Sequence, residues 1–194
     1  MFETLLNAID ATDAQTGAHV RRVARYALII ADAADLSPHE RHVVERVALF
    51  HDIGKIHEAL FDLIHDRARL TPTERSAIAT HPRRGAAVLA PLAAFYPELQ
   101  RGVLSHHERW DGRGYPRRIG GPSIPLAARI VTIADTIDAI TVARRYSTAR
   151  SFDASLRALQ EGRGTQFDPE LVDLVGLPPV SAALRMAWRD STRG

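Results

Sequence analysis

Histidine stands in this chain where a helical apolar stripe calls for hydrocarbon. Val44, Val47 and Ala48 recur at helical spacing and lead to His51, the seventh position from Val44; Leu99 and Val103 lead in the same way to His106 and His107. Side chains at that period face the interior. The chain therefore buries imidazole, which costs free energy unless every ring finds a partner. Whatever fold it adopts is helical and built around a polar centre.

The same period runs through most of the sequence. Val20, Val23, Ala24, Ala27, Ile30, Ala31 and Ala34 stripe a helix from about Thr16 to Ala34, flanked by His19 and closed by the Asp35-Leu36-Ser37-Pro38 break. Ser37 can cap the next helix, with Pro38 suited to its first turn. Gly54 permits a turn or helix end, and the stretch from Ile56 to Arg69 follows no single period and reads as mixed. Thr71-Pro72-Thr73-Glu74 has the form of another helix start. Because proline pushes its predecessor out of the α region, His81-Pro82 places His81 at a helix boundary. Glycine and proline crowd a long loop between Glu108 and Pro125. Ile130, Ile133, Ala134, Ile137 and Ile140 then stripe a helix over about 126–142, with Asp135 and Asp138 off one side. Ser151-Phe152-Asp153 and Phe167-Asp168-Pro169 start two more helices, separated by breaks at Gly162 and Gly164. No strand pattern emerges, so the chain reads as all-α.

With 194 residues it can bury one substantial core, and we expect a single domain over 1–194, its core at about 5–176 and a weakly amphipathic helical tail at 177–194. The formal charge of +2 carries no signal for a large nucleic acid. Paired arginines, among them Arg83-Arg84 and Arg117-Arg118, are scattered and form no basic block. No apolar run reaches the ~20 residues that a membrane span needs, and Glu3 and Asp10 interrupt the N-terminal one. Cysteine is absent, so a metal site would use nitrogen and oxygen donors, in keeping with a cytoplasmic setting.

A neutral imidazole offers one lone pair and a carboxylate can bridge two cations, so paired metals need several histidines with a well-placed aspartate. His51-Asp52 supplies both at a helix end, where adjacent side chains diverge by roughly 100°. Coordination would satisfy all the buried polar groups at once. Separate hydrogen bonds to the backbone are the alternative for each histidine alone.

The segments LFHDIGKI, His81-Pro82, HHERWDGRGYP and ARIVTIADTIDAIT resemble the HD-GYP branch of the HD phosphohydrolase superfamily over roughly residues 5–176, HHERWDGRGYP being the most specific piece. The resemblance implies an HD-domain-like helical bundle with a long GYP loop, holding iron or manganese and hydrolysing cyclic di-GMP to pGpG or GMP. It makes His19, His51, Asp52, His81, His106, His107 and Asp135 the metal ligands, with Asp52 as the bridge and a hydroxide between the ions attacking phosphorus. Lys55 matches the lysine near that water and the scissile phosphate, which makes Lys55 and Asp52 the catalytic candidates. Arg144 matches a phosphate-contacting arginine, and Tyr115, Pro116 and Asp111 belong to a loop suited to close over substrate, where Tyr115 could stack on a guanine. Domains of this type often sit behind sensory or receiver modules, so signalling proteins or a second copy are candidate partners.

Three departures bear on that expectation. Family members with a third metal carry glutamate four residues before the first histidine, where this chain has Gln15, so two divalent ions are expected. After Arg144 the family has Pro-Tyr and then a cation, but here Arg145-Tyr146-Ser147 follows. Ile56-His57-Glu58-Ala59-Leu60 replaces a Gly-Ile-Pro-Asp-like turn. Two alternatives stay open: a weakly active or inactive module that binds a cyclic dinucleotide, and a phosphohydrolase for another cyclic or linear nucleotide.

Overall fold

Three helices begin where the sequence puts a capping side chain ahead of proline. Ser37 and Thr71 each accept from the backbone amide three residues on, Glu40 and Glu74 reach back to complete the box, and Asp168 caps Glu170. The computed structural model describes residues 2–12, 14–56, 71–142 and 150–191. In chain order its helices are α1 Phe2–Thr12, α2 Ala14–Ala33, α3 Pro38–Phe50, α4 Pro72–Ile78, α5 His81–Val88, α6 Pro97–Ser105, α7 Leu126–Thr141, α8 Phe152–Glu161, α9 Pro169–Gly176 and α10 Pro178–Ser191. Short 3-10 turns cover Ile53–Ile56, Ala90–Leu92 and Gly121–Ser123. Among the described residues no strand forms beyond one isolated bridge between Arg163 and Phe167, in agreement with the all-α expectation.

Helices α2, α3 and α7 pack on one another at the centre. Their stripes supply the core: Val20, Val23, Ala27, Ile30 and Ala31 from α2, Val44, Val47, Ala48 and Phe50 from α3, and Ile130, Ile133, Ala134 and Ile137 from α7. Burying each of the larger side chains contributes roughly 1.5–3 kcal/mol. Ile140, counted in the stripe, is only half-buried at the last turn of α7. Helices α5 and α6 lean on one another, with α6 also against α3. The expected tail does more than trail behind the core. As α10 it packs on α2 and buries Val180, Leu184 and Ala187.

Gly54 sets how closely the 3-10 turn after α3 meets α5. A Cβ there would collide with the carbonyl oxygen of His81 and lie 2.6 Å from the amide nitrogen of Gly85. Only glycine lets Asp52 and Lys55 come this near to His81. Among the described residues no single helix is long and apolar enough to cross a membrane.

Candidate metal centre

The last carbonyls of an α-helix have no partner within the helix, and three histidines take up such carbonyls. His51, just past α3, donates its Nδ1–H to Ala48 O at 2.8 Å; His106, just past α6, donates to Val103 O at 2.6 Å; His81 donates to Ile78 O, the end of α4, at 2.8 Å. A carbonyl only accepts, so the proton sits on Nδ1 and the Nε2 lone pair faces inward. This corrects one expectation. His106 and His107 extend the stripe of α6, but the helix stops at Ser105 and His106 turns its ring back to the carbonyl of Val103.

The inward atoms form two trios. His81, His106 and His107 can offer ligand atoms within 4.8 Å of one another, and so can His19, His51 and Asp135, from α2, the end of α3 and α7. Asp52 stands between them. Its Oδ1 lies 3.3 Å from His81 Nε2 and 3.9 Å from His106 Nε2, while its Oδ2 lies 3.6 Å from His51 Nε2 and 3.8 Å from His19 Nε2. Lys55 Nζ donates to Asp52 Oδ2 at 2.5 Å. The seven side chains that the sequence nominated thus meet at one place.

The electrostatics favour donors over charged imidazoles. Burial pushes the pKa of His51 down, that of His81 to about 3, that of His106 well below its ordinary value and that of His107 to about 4. Burial also opposes ionisation of Asp52, but the charge of Lys55 beside it holds the carboxyl well below the usual range. His51 Nε2 and Asp52 Oδ1 are buried without a hydrogen-bond partner, and His81 Nε2 faces His106 Nε2 at 3.0 Å. Orphaned lone pairs beside an ionised carboxylate fit divalent cations with nitrogen and oxygen donors.

The centre is open on one side. His51, His81 and His106 are about 1% exposed, whereas the side chains of His19, Asp135 and Lys55 reach 12%, 25% and 26%. Tyr115 stacks on His107, with ring centroids 4.8 Å apart and planes at 27°. One face of the tyrosine is therefore already taken, and burial pushes its phenol pKa up.

The glycine-rich loop is tied to itself. Tyr115 donates its amide to His107 O at 3.1 Å, and Gly114 lies so close to the backbone of 107–109 that a Cβ would sit 2.6 Å from His107 O. The Asp111 carboxylate accepts from Arg109 at 3.0 and 2.8 Å and from the Arg113 amide at 3.0 Å; the Arg109 bond holds its pKa down at about 2. Pro116 O accepts from Arg83. Arg144, Ser147 and the segment 57–60 lie outside the described residues. Gln15 is on α2, one turn before His19.

Sequence reasoning assigned no role to three residues that shape the site, Glu108, Asp138 and Arg22. Glu108, 2% exposed, accepts from the amides of Arg117 at 2.6 Å and Ile119 at 3.2 Å and so closes the loop. Asp138 accepts from His19 Nδ1 at 2.7 Å and from Arg22. The available signal was the position of Asp138 one turn beyond Asp135 on the same helix.

A helical bundle whose helix ends converge on a His-Asp dipeptide ringed by imidazoles defines an HD-domain protein. The sequence matches the family described as HD domain over residues 3–171, and the chain belongs to that family. It is 39% identical over 171 residues to the cyclic di-GMP phosphodiesterase response regulator RpfG of Xanthomonas campestris pv. campestris, covering 87% of this chain and 45% of that protein. It is 37% identical over 163 residues to 3'3'-cGAMP-specific phosphodiesterase 3 of Vibrio cholerae, covering 84% and 35%. In three dimensions it resembles the V. cholerae cyclic GMP-AMP specific phosphodiesterase V-cGAP3, with TM-score 0.68 and 23% identity over 98% of this chain and 52% of that one. The L. monocytogenes PgpH HD domain in complex with cyclic-di-AMP gives TM-score 0.63 and 21% identity over 98% and 96%. At such identities the structural likeness speaks for the fold alone. The chain spans less than half the length of these curated relatives.

Proposed function

We propose that this chain is a metal-dependent phosphodiesterase that hydrolyses cyclic di-GMP to pGpG or GMP, using two divalent ions, iron or manganese, in a single domain. The observation that carries the reading is Asp52, which turns one carboxylate oxygen toward each of two ligand trios. His19, His51 and Asp135 would hold one ion and His81, His106 and His107 the other, with the Asp52 carboxylate set between the two trios. Divalent ions bound there would supply a water of lowered pKa and neutralise charge on phosphoryl oxygens.

The remaining roles belong to the chain itself. Lys55 brings a cation to the open rim, where a phosphate oxygen can replace Asp52 Oδ2 as partner of its Nζ. Tyr115 and Pro116 form the wall beside His107, with the free face of Tyr115 available to a base. Asp111, engaged by Arg109 and Arg113, shapes the loop. Arg144 keeps its assigned contact with phosphate through the resemblance.

Support for the substrate class comes from relatives named as cyclic di-GMP phosphodiesterases. Others, named 3'3'-cGAMP-specific, favour a second reading in which the hybrid dinucleotide is hydrolysed by the same centre. The test is a product assay with Mn(II)- or Fe(II)-loaded protein against cyclic di-GMP, 3'3'-cGAMP and linear dinucleotides. Linear product, lost in Asp52→Ala, supports the reading. Nucleotide binding without turnover by the fully metallated protein makes the chain a binding module instead.

A further inference from the structure

His19 differs from His51, His81 and His106 in what holds it. His51, His81 and His106 stand at helix ends and give Nδ1–H to main-chain carbonyls. His19 lies inside α2, where the carbonyls are occupied by the amides four residues on. Its Nδ1–H goes instead to a side chain on another helix, Asp138 Oδ2 on α7, at 2.7 Å.

That carboxylate is itself locked. Asp138 is 1% exposed; its Oδ1 accepts from Arg22 Nε at 2.6 Å, and its Oδ2 accepts from Arg22 Nη2 at 3.1 Å as well as from His19. Arg22 is three residues after His19, so one face of α2 presents the ring and the guanidinium together to one acceptor on α7. A carbonyl behind an imidazole fixes the ring, whereas an ionised carboxylate also strengthens the Nε2 donor.

We infer that Asp138 is a positioning residue that sets metal affinity at the His19, His51 and Asp135 position independently of the His81, His106 and His107 position, with Arg22 holding its carboxylate in line. The inference rests on the two-metal reading above. The two positions differ because one is tuned by a buried charge, while His81 and His106 at the other are oriented by backbone alone.

Metal binding itself provides the test. Metal-free wild type, Asp138→Asn and the double variant Arg22→Gln with Asp138→Asn are titrated with Mn(II) by calorimetry, with metal content measured after desalting and melting temperature recorded without metal. Wild type takes up two ions. Asp138→Asn keeps one at wild-type affinity and binds the second about 10–100-fold more weakly. The double variant leaves no buried charge unpaired, so it separates this effect from misfolding, and it shows the same selective loss. Two unchanged affinities in the folded double variant, or equal weakening of both, overturn the inference and leave the metal reading standing. Wild type that binds no divalent ion overturns both.

Discussion

His81 Nε2 lies 3.0 Å from His106 Nε2, and each ring has already given its Nδ1–H to a carbonyl, of Ile78 and Val103. Two lone pairs therefore face one another in the interior. Protonating either ring there is opposed by burial, which lowers the pKa of His81 to about 3 and that of His106 well below 6.5. In the unfolded chain both titrate near the ordinary value, so below it the unfolded state binds more protons than the folded one. Stability of the metal-free protein is complete above about pH 6.5 and falls with acid, by ~1.4 kcal/mol per pH unit for each such histidine. Thermal melts of metal-free protein from about pH 7.5 to about pH 5 check this. A flat profile contradicts the buried neutral pair.

Much of this arrangement could be read from local chemistry. Ser37 and Thr71, each with proline next and glutamate at the third position, mark helix starts because the capping box is made within four residues. The buried histidines were legible because an imidazole on an apolar stripe, as at His51, is costly to bury unless something binds its lone pair, while their nomination as ligands came from the resemblance. Helix ends were less legible. Periodicity carries α6 through His107, whereas the carbonyl of Val103 is claimed by the His106 ring and the helix closes at Ser105. The bond from His19 to Asp138 joins residues 119 positions apart, and no window of sequence encodes a contact at that range.

Gly54 should be intolerant of alanine. The added methyl meets the His81 carbonyl and the Gly85 amide, both main-chain atoms that cannot swing aside. Moving the 3-10 turn away from α5 costs about 1–3 kcal/mol and draws Asp52 and Lys55 back from His81. Gly54→Ala is expected to lower the urea midpoint and weaken metal binding together. Wild-type values for both would show that the turn has room to spare.

Metal count per chain tests the reading of Gln15. One helical turn before His19, a carboxylate could bridge a further ion, but an amide bears no charge and is a poor bridging ligand. Elemental analysis of protein loaded with Mn(II) should return two ions per chain. Three would mean that oxygen donors other than Gln15 complete an additional position.

Glu108 offers a way to loosen the proposed substrate wall without touching a nominated ligand. Its two carboxylate oxygens accept separately from the amides of Arg117 and Ile119, fastening the segment that carries Tyr115 and Pro116 beside His107. In Glu108→Gln one of those oxygens becomes an NH2 group, which sets a donor against a part-buried amide donor and costs about 1 kcal/mol. The wall then loses its fixed position while the seven nominated ligands stay in place. Steady-state kinetics should show KM rising several-fold with metal content unchanged. A variant with wild-type KM and a lower melting temperature would assign Glu108 to stability alone, and one that loses metal would tie the loop directly to the His106-His107 position.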